Sequence, residues 1–169
     1  MNKLQSNFKN MVLSLTGIAL VAAAALAGVY LLTNKKIADQ QQDAQQAARQ
    51  SVLNGQEGVA IEAQADGFGG VMKVMVGFDP QGTILGYELL EHSETPGLGD
   101  QAGQWFKNAD KPAQNIVGRQ ATGHFAVSKD GGDVDAITAA TISSRAFLKA
   151  VNDAYNQFAA MQGKEADHE

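Results

Sequence analysis

The stretch Asp135-Ala136-Ile137-Thr138-Ala139-Ala140-Thr141-Ile142-Ser143 concentrates hydroxyl-bearing and small residues between a polar, glycine-rich loop and a segment of helical periodicity. A helix start is a natural anion site. Its first-turn amides lack intrahelical acceptors, and the helix dipole adds partial positive charge. The small side chains of Ala139 and Ala140 let a bulky group approach the backbone, while Thr138, Thr141, Ser143 and Ser144 offer hydroxyls. Together they suit a phosphate, with Thr141 as the chemical centre. The competing reading is a helix cap, the ordinary role of Ser and Thr ahead of a helix.

A second stretch, His92-Ser93-Glu94-Thr95-Pro96-Gly97-Leu98-Gly99-Asp100, follows a strand-like run. Pro96-Gly97 suits a turn, because Pro sets φ at one central position and Gly accepts a positive φ at the next. On composition alone the loop is a strand exit. The series Gly97-x-Gly99-x-x-x-Gly103 is not a dinucleotide fingerprint, since its spacing is wrong and a βαβ context is missing.

Asp-x-x-Thr-Ala-Ala-Thr, from Asp135 to Thr141, resembles the Asp-x-x-(Ser/Thr)-(Gly/Ala)-Ala-Thr signal read by the FAD-dependent flavin transferase. The loop from His92 resembles the His-x-Glu-Thr-Pro-Gly-Leu-Gly loop of the same family. That family is the covalent-FMN components of membrane redox pumps: the G subunit of the Rnf complex and the C subunit of the sodium-pumping NADH:quinone oxidoreductase. The resemblance covers the N-terminal apolar segment and roughly residues 58 to 160, and the compactness of the chain favours the Rnf member.

This likeness implies FMN bound covalently, through a phosphoester, to Thr141, the last residue of the signal that begins at Asp135. It also implies a flavin-facing wall, with Leu98 against the isoalloxazine ring and Glu94 and Thr95 supplying polar contacts or fixing the loop. His92 is a candidate for the same wall or a solvated residue beside a strand. Lys129 would meet the phosphate or the charge of the reduced flavin, or is a solvated turn lysine. The implied activity is electron relay within a multisubunit, ion-translocating complex linking ferredoxin and NAD. Its partners would be the membrane and soluble subunits of that complex, and a flavin transferase during maturation. A stand-alone membrane-anchored flavoprotein reductase and a cofactor-free binding domain remain alternatives.

The elements that must position these residues are legible from periodicity. Val59–Ala65 is expected as a strand, broken at Gly67-Phe68-Gly69-Gly70. Val71–Phe78 and Thr83–His92 are expected as a hairpin around Asp79-Pro80-Gln81-Gly82. A short helix is expected over Asp100–Ala109, with Trp105 and Phe106 partly buried, and a further strand over Phe125–Ser128. Ser143–Met161 is expected as an amphipathic helix whose stripe of Phe147, Leu148, Val151, Ala154, Tyr155 and Phe158 packs on the sheet and holds Thr141 in place. The fold class is α+β, an antiparallel sheet packed by helices behind a membrane helix and a stalk. The expected divisions are 1–33 for the tail and membrane helix, 34–57 for the stalk, 58–163 for the FMN-binding domain and 164–169 for a frayed tail.

Met11–Leu32 contains no charged residue and as a helix extends roughly 33 Å, against a bilayer core of about 30 Å. A cleaved signal peptide competes through Ala25-Leu26-Ala27, but the apolar run is longer than a signal core and continues to Leu32. Lys3 and Lys9 flank one end and Lys35 and Lys36 the other, so charge does not orient it. The resemblance implies an N-terminus in the cytoplasm of a bacterial inner membrane and a flavin domain on the far side. Asn34–Gln50 is rich in Ala, Gln, Lys and Arg and is expected as a helical stalk, a disordered linker being the alternative.

Residues 55–163 carry seven basic and thirteen acidic side chains, so nucleic acid is set aside as a partner. The chain has no Cys, which excludes disulfides and thiolate-held iron–sulfur clusters. Its histidines, His92, His124 and His168, lack metal-ligand spacing, so no metal is expected.

Overall fold

The computed structural model describes residues 8–166, and the chain divides into two units, 1–43 and 44–169. The expected basic tail with Lys3 and the last residues of the expected frayed tail lie outside the described residues.

In the first unit every described residue belongs to helix α1, Phe8–Leu53, whose N-terminal part is long and apolar enough to cross a membrane. Two hydroxyls in this stretch are satisfied within the helix, as a water-poor surrounding demands. Ser14 Oγ donates to Met11 O at 3.0 Å and Thr33 Oγ1 to Val29 O at 2.6 Å.

The second unit is built on a three-stranded antiparallel sheet in the order β1 (Val59–Asp66), β2 (Val71–Phe78), β3 (Ile84–Glu91). β1 alternates as a half-buried strand should, with Ile61, Ala63 and Ala65 inward and Glu62, Gln64 and Asp66 outward. The central strand β2 is apolar on both faces because both are covered. Met72, Val74, Val76 and Phe78 join the main core, and Met75 packs with Ala48 and Val52 from the end of α1. The β2–β3 turn is closed by Asp79, whose carboxylate accepts from the amides of Gln81 at 2.9 Å and Thr83 at 2.7 Å. The Thr83 amide is the main cause that holds this carboxyl below its usual range.

Helix α3, Thr141–Ala166, lies across the sheet on β1 and β2. Its expected stripe is the buried one, with Phe147, Leu148, Val151, Ala154 and Phe158 in the core and Tyr155 packed against it. Phe147 stacks on Phe106 at 4.5 Å between ring centroids and meets Tyr87 edge-on at 4.8 Å. The helix continues past Gly163, where the sequence suggests a frayed tail.

Two expected elements take another form. The helix expected over Asp100–Ala109 is a 3₁₀ turn, Gly99–Gln101, followed by a single turn of helix, α2, Ala102–Trp105. The buried Tyr87 hydroxyl ends it, donating to Ala102 O at 2.8 Å and accepting from the Phe106 amide at 3.2 Å. Burial pushes that phenol far above its usual range, so it stays a donor.

The strand expected at Phe125–Ser128 is reduced to one bridge, Val127 with Val134, because the chain turns back at Gly131, φ 84°. The side-chain amide of Asn152 stands in for a strand partner: the Phe125 amide donates to Asn152 Oδ1 at 2.8 Å, and Asn152 Nδ2 donates to Phe125 O at 2.9 Å.

The close approach of α1 to the sheet requires glycine. Gly77 and Gly86 face each other across β2 and β3, and a Cβ on Gly77 would sit 2.5 Å from Val52 O. We expect Gly77→Ala to destabilise the detergent-solubilised chain by about 1–3 kcal/mol in urea unfolding followed by Trp105 fluorescence. Gly103→Ala, whose Cβ would meet only Leu89 at 4.0 Å, is the neutral control.

Candidate functional site

The site is built around the first turn of α3. A tight turn brings the chain in, with the Ala140 amide donating to Ile137 O at 3.0 Å and Ala139 in the left-handed region, φ 61°. The helix ladder then begins with the Ser144 amide donating to Ala140 O at 3.0 Å, so Ala140 is the N-cap and Thr141 the first helical residue. Ala140 has no side-chain oxygen to cap the first-turn amides, which leaves the helix start polarised toward an anion. The plain capping role considered for Thr141 is therefore not the geometry adopted.

Four hydroxyls were candidates near this helix start, and two are committed elsewhere. Ser144 Oγ accepts from the Ile137 amide at 2.9 Å and donates to Ala140 O at 3.0 Å, locking the turn. Ser143 Oγ donates to Glu94 Oε2 at 2.6 Å. Of the four, Thr138 and Thr141 keep uncommitted hydroxyls among the described residues. Thr138 is exposed outside the cleft, and Thr141 is half-buried in it.

Glu94 is the hub. Buried to 6% exposure, its carboxylate accepts from Ser143 on α3 and from the Gly69 amide at 3.2 Å in the β1–β2 turn. Glycines make room for it: a Cβ on Gly67 would run into Oε1, and one on Gly99 into Oε2, with Ser143 Oγ 2.6 Å away. The loop carrying Glu94 then turns at Thr95-Pro96-Gly97-Leu98, where the Leu98 amide donates to Thr95 O at 3.1 Å and Gly97 has φ 76°. The expected Pro-Gly turn is thus present.

These pieces enclose a cleft of about 350 Å³, lined by Phe68, Glu94, Thr95, Leu98, Gly99, Ala139, Ala140, Thr141, Ile142 and Ser143. That size lies at the small end of ligand sites, roughly 300–1,000 Å³. Two sequence stretches some forty residues apart therefore supply the two sides of one concavity. Its lining is mainly apolar, with a helix start at one wall and no basic side chain among the described residues, a donor set that suits a flat ring carrying a phosphate arm. The residues present fit FMN.

The remaining expected residues do not line the cleft. His92 is exposed, and its Nδ1 accepts from the Glu94 amide at 3.3 Å, supporting the loop from outside. Asp135 fastens loops together: its carboxylate accepts from Ser128 Oγ at 2.8 Å, its amide donates to Ala113 O at 2.7 Å, and its carbonyl accepts from the Trp105 indole at 2.9 Å. Lys129 is exposed on a 3₁₀ turn, Ser128–Asp130. Its neighbour Asp130 takes a bidentate pair from Arg145, both bonds 2.6 Å, and that guanidinium holds the Asp130 carboxyl below its usual range. Phe68, Gly99 and Ile142 line the cleft although the sequence alone singles out none of them as a site residue. A large aromatic inside a glycine run was the one available signal for Phe68.

Known proteins share these stretches. A family model described as FMN-binding domain matches residues 67–156, and one described as RnfG N-terminal region matches residues 1–52. Among curated relatives, the G subunit of the ion-translocating oxidoreductase complex of Salmonella typhi is 46% identical over 99 residues, covering 56% of this chain and 47% of that protein. The proteins of the same name from Vibrio atlanticus and Escherichia coli are 43% and 42% identical over 112 and 103 residues, covering 60% and 56% of this chain and 50% and 47% of theirs. The chain spans about half the length of these relatives.

Two outcomes follow from the geometry. Glu94→Ala strands the Gly69 amide and the Ser143 hydroxyl, and we expect a loss of about 1–3 kcal/mol in urea unfolding, with Glu94→Gln losing less because it keeps a carbonyl acceptor. Ala139→Gly relieves a left-handed alanine, and we expect a gain of about 0.5–1 kcal/mol in the same assay.

Proposed function

The chain belongs to the FMN-binding domain family, and on that premise we propose that the cleft at the start of α3 holds FMN joined by a phosphoester to Thr141. The observation that carries this reading is the convergence of the Glu94–Gly99 loop and the Ala139–Ser143 turn on one cleft. Thr141 is the one hydroxyl of the helix start that lines this cleft without a partner in the domain. Its oxygen would displace AMP from FAD in the hands of a flavin transferase, giving up its proton and forming the ester. The first-turn amides of α3 would receive the phosphate, Ala139 and Ala140 would admit it to the backbone, and Leu98 would bear on the ring.

When bound, FMN supplies electron-transfer chemistry at its ring. The chain's own contribution is position and exclusion of water. Such a site suits an electron carrier within an Rnf-type ion-translocating complex linking ferredoxin and NAD, the reading that the names of its relatives favour. In that assembly α1 anchors the chain in the bacterial inner membrane, with the N-terminus in the cytoplasm and the flavin domain on the opposite side. The other subunits of the complex are its partners.

Intact mass and in-gel flavin fluorescence of the full chain, co-expressed with a flavin transferase, test the attachment. We expect wild type to gain the mass of one FMN less one water and to fluoresce after denaturation, and Thr141→Ala to do neither. An unmodified wild-type mass under those conditions contradicts the reading.

A further inference from the structure

Beyond Asp43 the exposed large apolar side chains are Val59, Phe68, Val71, Leu98, Ile142 and Met161 among the described residues. Three of them, Phe68, Leu98 and Ile142, line the one cleft, and Phe68 is the most open, at 69% exposure. Its position is not accidental slack in a surface turn. The turn is closed by the Gly67 amide donating to Gly70 O at 2.8 Å and fastened to Glu94 through the Gly69 amide. It also lies against the neighbouring loop so closely that a Cβ on Gly69 would collide with Ser93 O.

The backbone on both sides of Phe68 is therefore held by its neighbours, while the phenyl group itself contributes nothing to the core. Among the described residues it makes no ring contact. A rigidly presented aromatic face with no intramolecular partner, at the mouth of an otherwise apolar cleft, is complementary to a planar aromatic ligand. The gain from covering such a ring lies in the stacking contact and in the water it excludes.

We propose that Phe68 is a third wall of the flavin site, absent from both sequence motifs, and that its phenyl group packs against the isoalloxazine ring held between the Leu98 loop and the start of α3. The inference rests on the FMN reading of the cleft. Glu94 is the positioning residue of this wall, because the same carboxylate that ties the Leu98 loop to Ser143 also ties down the turn that carries Phe68.

The test is iodide quenching of flavin fluorescence in the detergent-purified full chain after co-expression with a flavin transferase, comparing wild type, Phe68→Ala and Phe68→Tyr. Fluorescence reports only on molecules that carry flavin, so a change in loading does not disturb the comparison. We expect the quenching constant to rise about two- to tenfold in Phe68→Ala, the equilibrium equivalent of losing one aromatic contact, and to return to the wild-type value in Phe68→Tyr. Equal quenching in wild type and Phe68→Ala, with the flavin adduct present by mass, overturns this inference alone and returns Phe68 to a protein-docking surface. Absence of the adduct from wild type overturns both this inference and the covalent-FMN reading.

Discussion

One buried carboxylate holds the site together. Glu94 receives a hydrogen bond from the β1–β2 turn through Gly69 and another from α3 through Ser143, and it is itself the second residue after His92 in the loop that leaves β3. Three segments distant in sequence thus meet at two oxygen atoms. A buried charge is stable only where its lone pairs are met, so the three segments cannot drift apart without exposing its desolvation cost. The glycines at 67 and 99 follow from this constraint, since a side-chain carbon at either would occupy the space of a carboxylate oxygen. What looks in the sequence like a flexible, glycine-rich surface is a tightly determined junction.

The rest of the domain serves to fix the far ends of that junction. α3 can present Thr141 at a constant place because five of its residues from Phe147 to Phe158 are packed into the sheet, with Phe147 locked between Phe106 and Tyr87. The sheet is held from its other face by Ala48 and Val52, which approach closely enough to require the paired glycines 77 and 86. The central strand is apolar on both faces for this reason. The long connection from Lys107 to Ala140, which has little regular structure, is held by individual side chains instead. Asn152 pairs with Phe125 as a strand would, Asp135 gathers three separate loops, and Arg119 pairs with Asp133.

Much of this is legible in the sequence. The alternation in Val59–Ala65, the Asp-Pro-Gln-Gly turn and the Phe147-to-Phe158 stripe each carry a strong local period, and each became the expected element. The short elements were harder to read because tertiary contacts decide them. The helix after Asp100 stops at Trp105 through the hydroxyl of Tyr87, and the strand at Phe125 is replaced by a side-chain amide, neither of which leaves a pattern in the local sequence. Within the site, the residues spelled out in the two motifs were easily named. Whether they lined one cleft, as Leu98 and Thr141 do, or stood outside it, as His92, Lys129 and Asp135 do, depended on long-range packing. Phe68 was missed because a glycine run reads as a chain break, and only the fold shows where such a break points.

The central claim is chemical and positional: of the four hydroxyls around this helix start, Thr141 is the one that carries the flavin phosphate. Trypsin releases residues 130–145 as one peptide containing Thr138, Thr141, Ser143 and Ser144. Fragmentation mass spectrometry of that peptide, from the full chain matured with a flavin transferase, locates the modification directly. The account predicts the FMN mass on Thr141 alone. The same mass on Thr138 or Ser143, or a peptide that carries none, would contradict it.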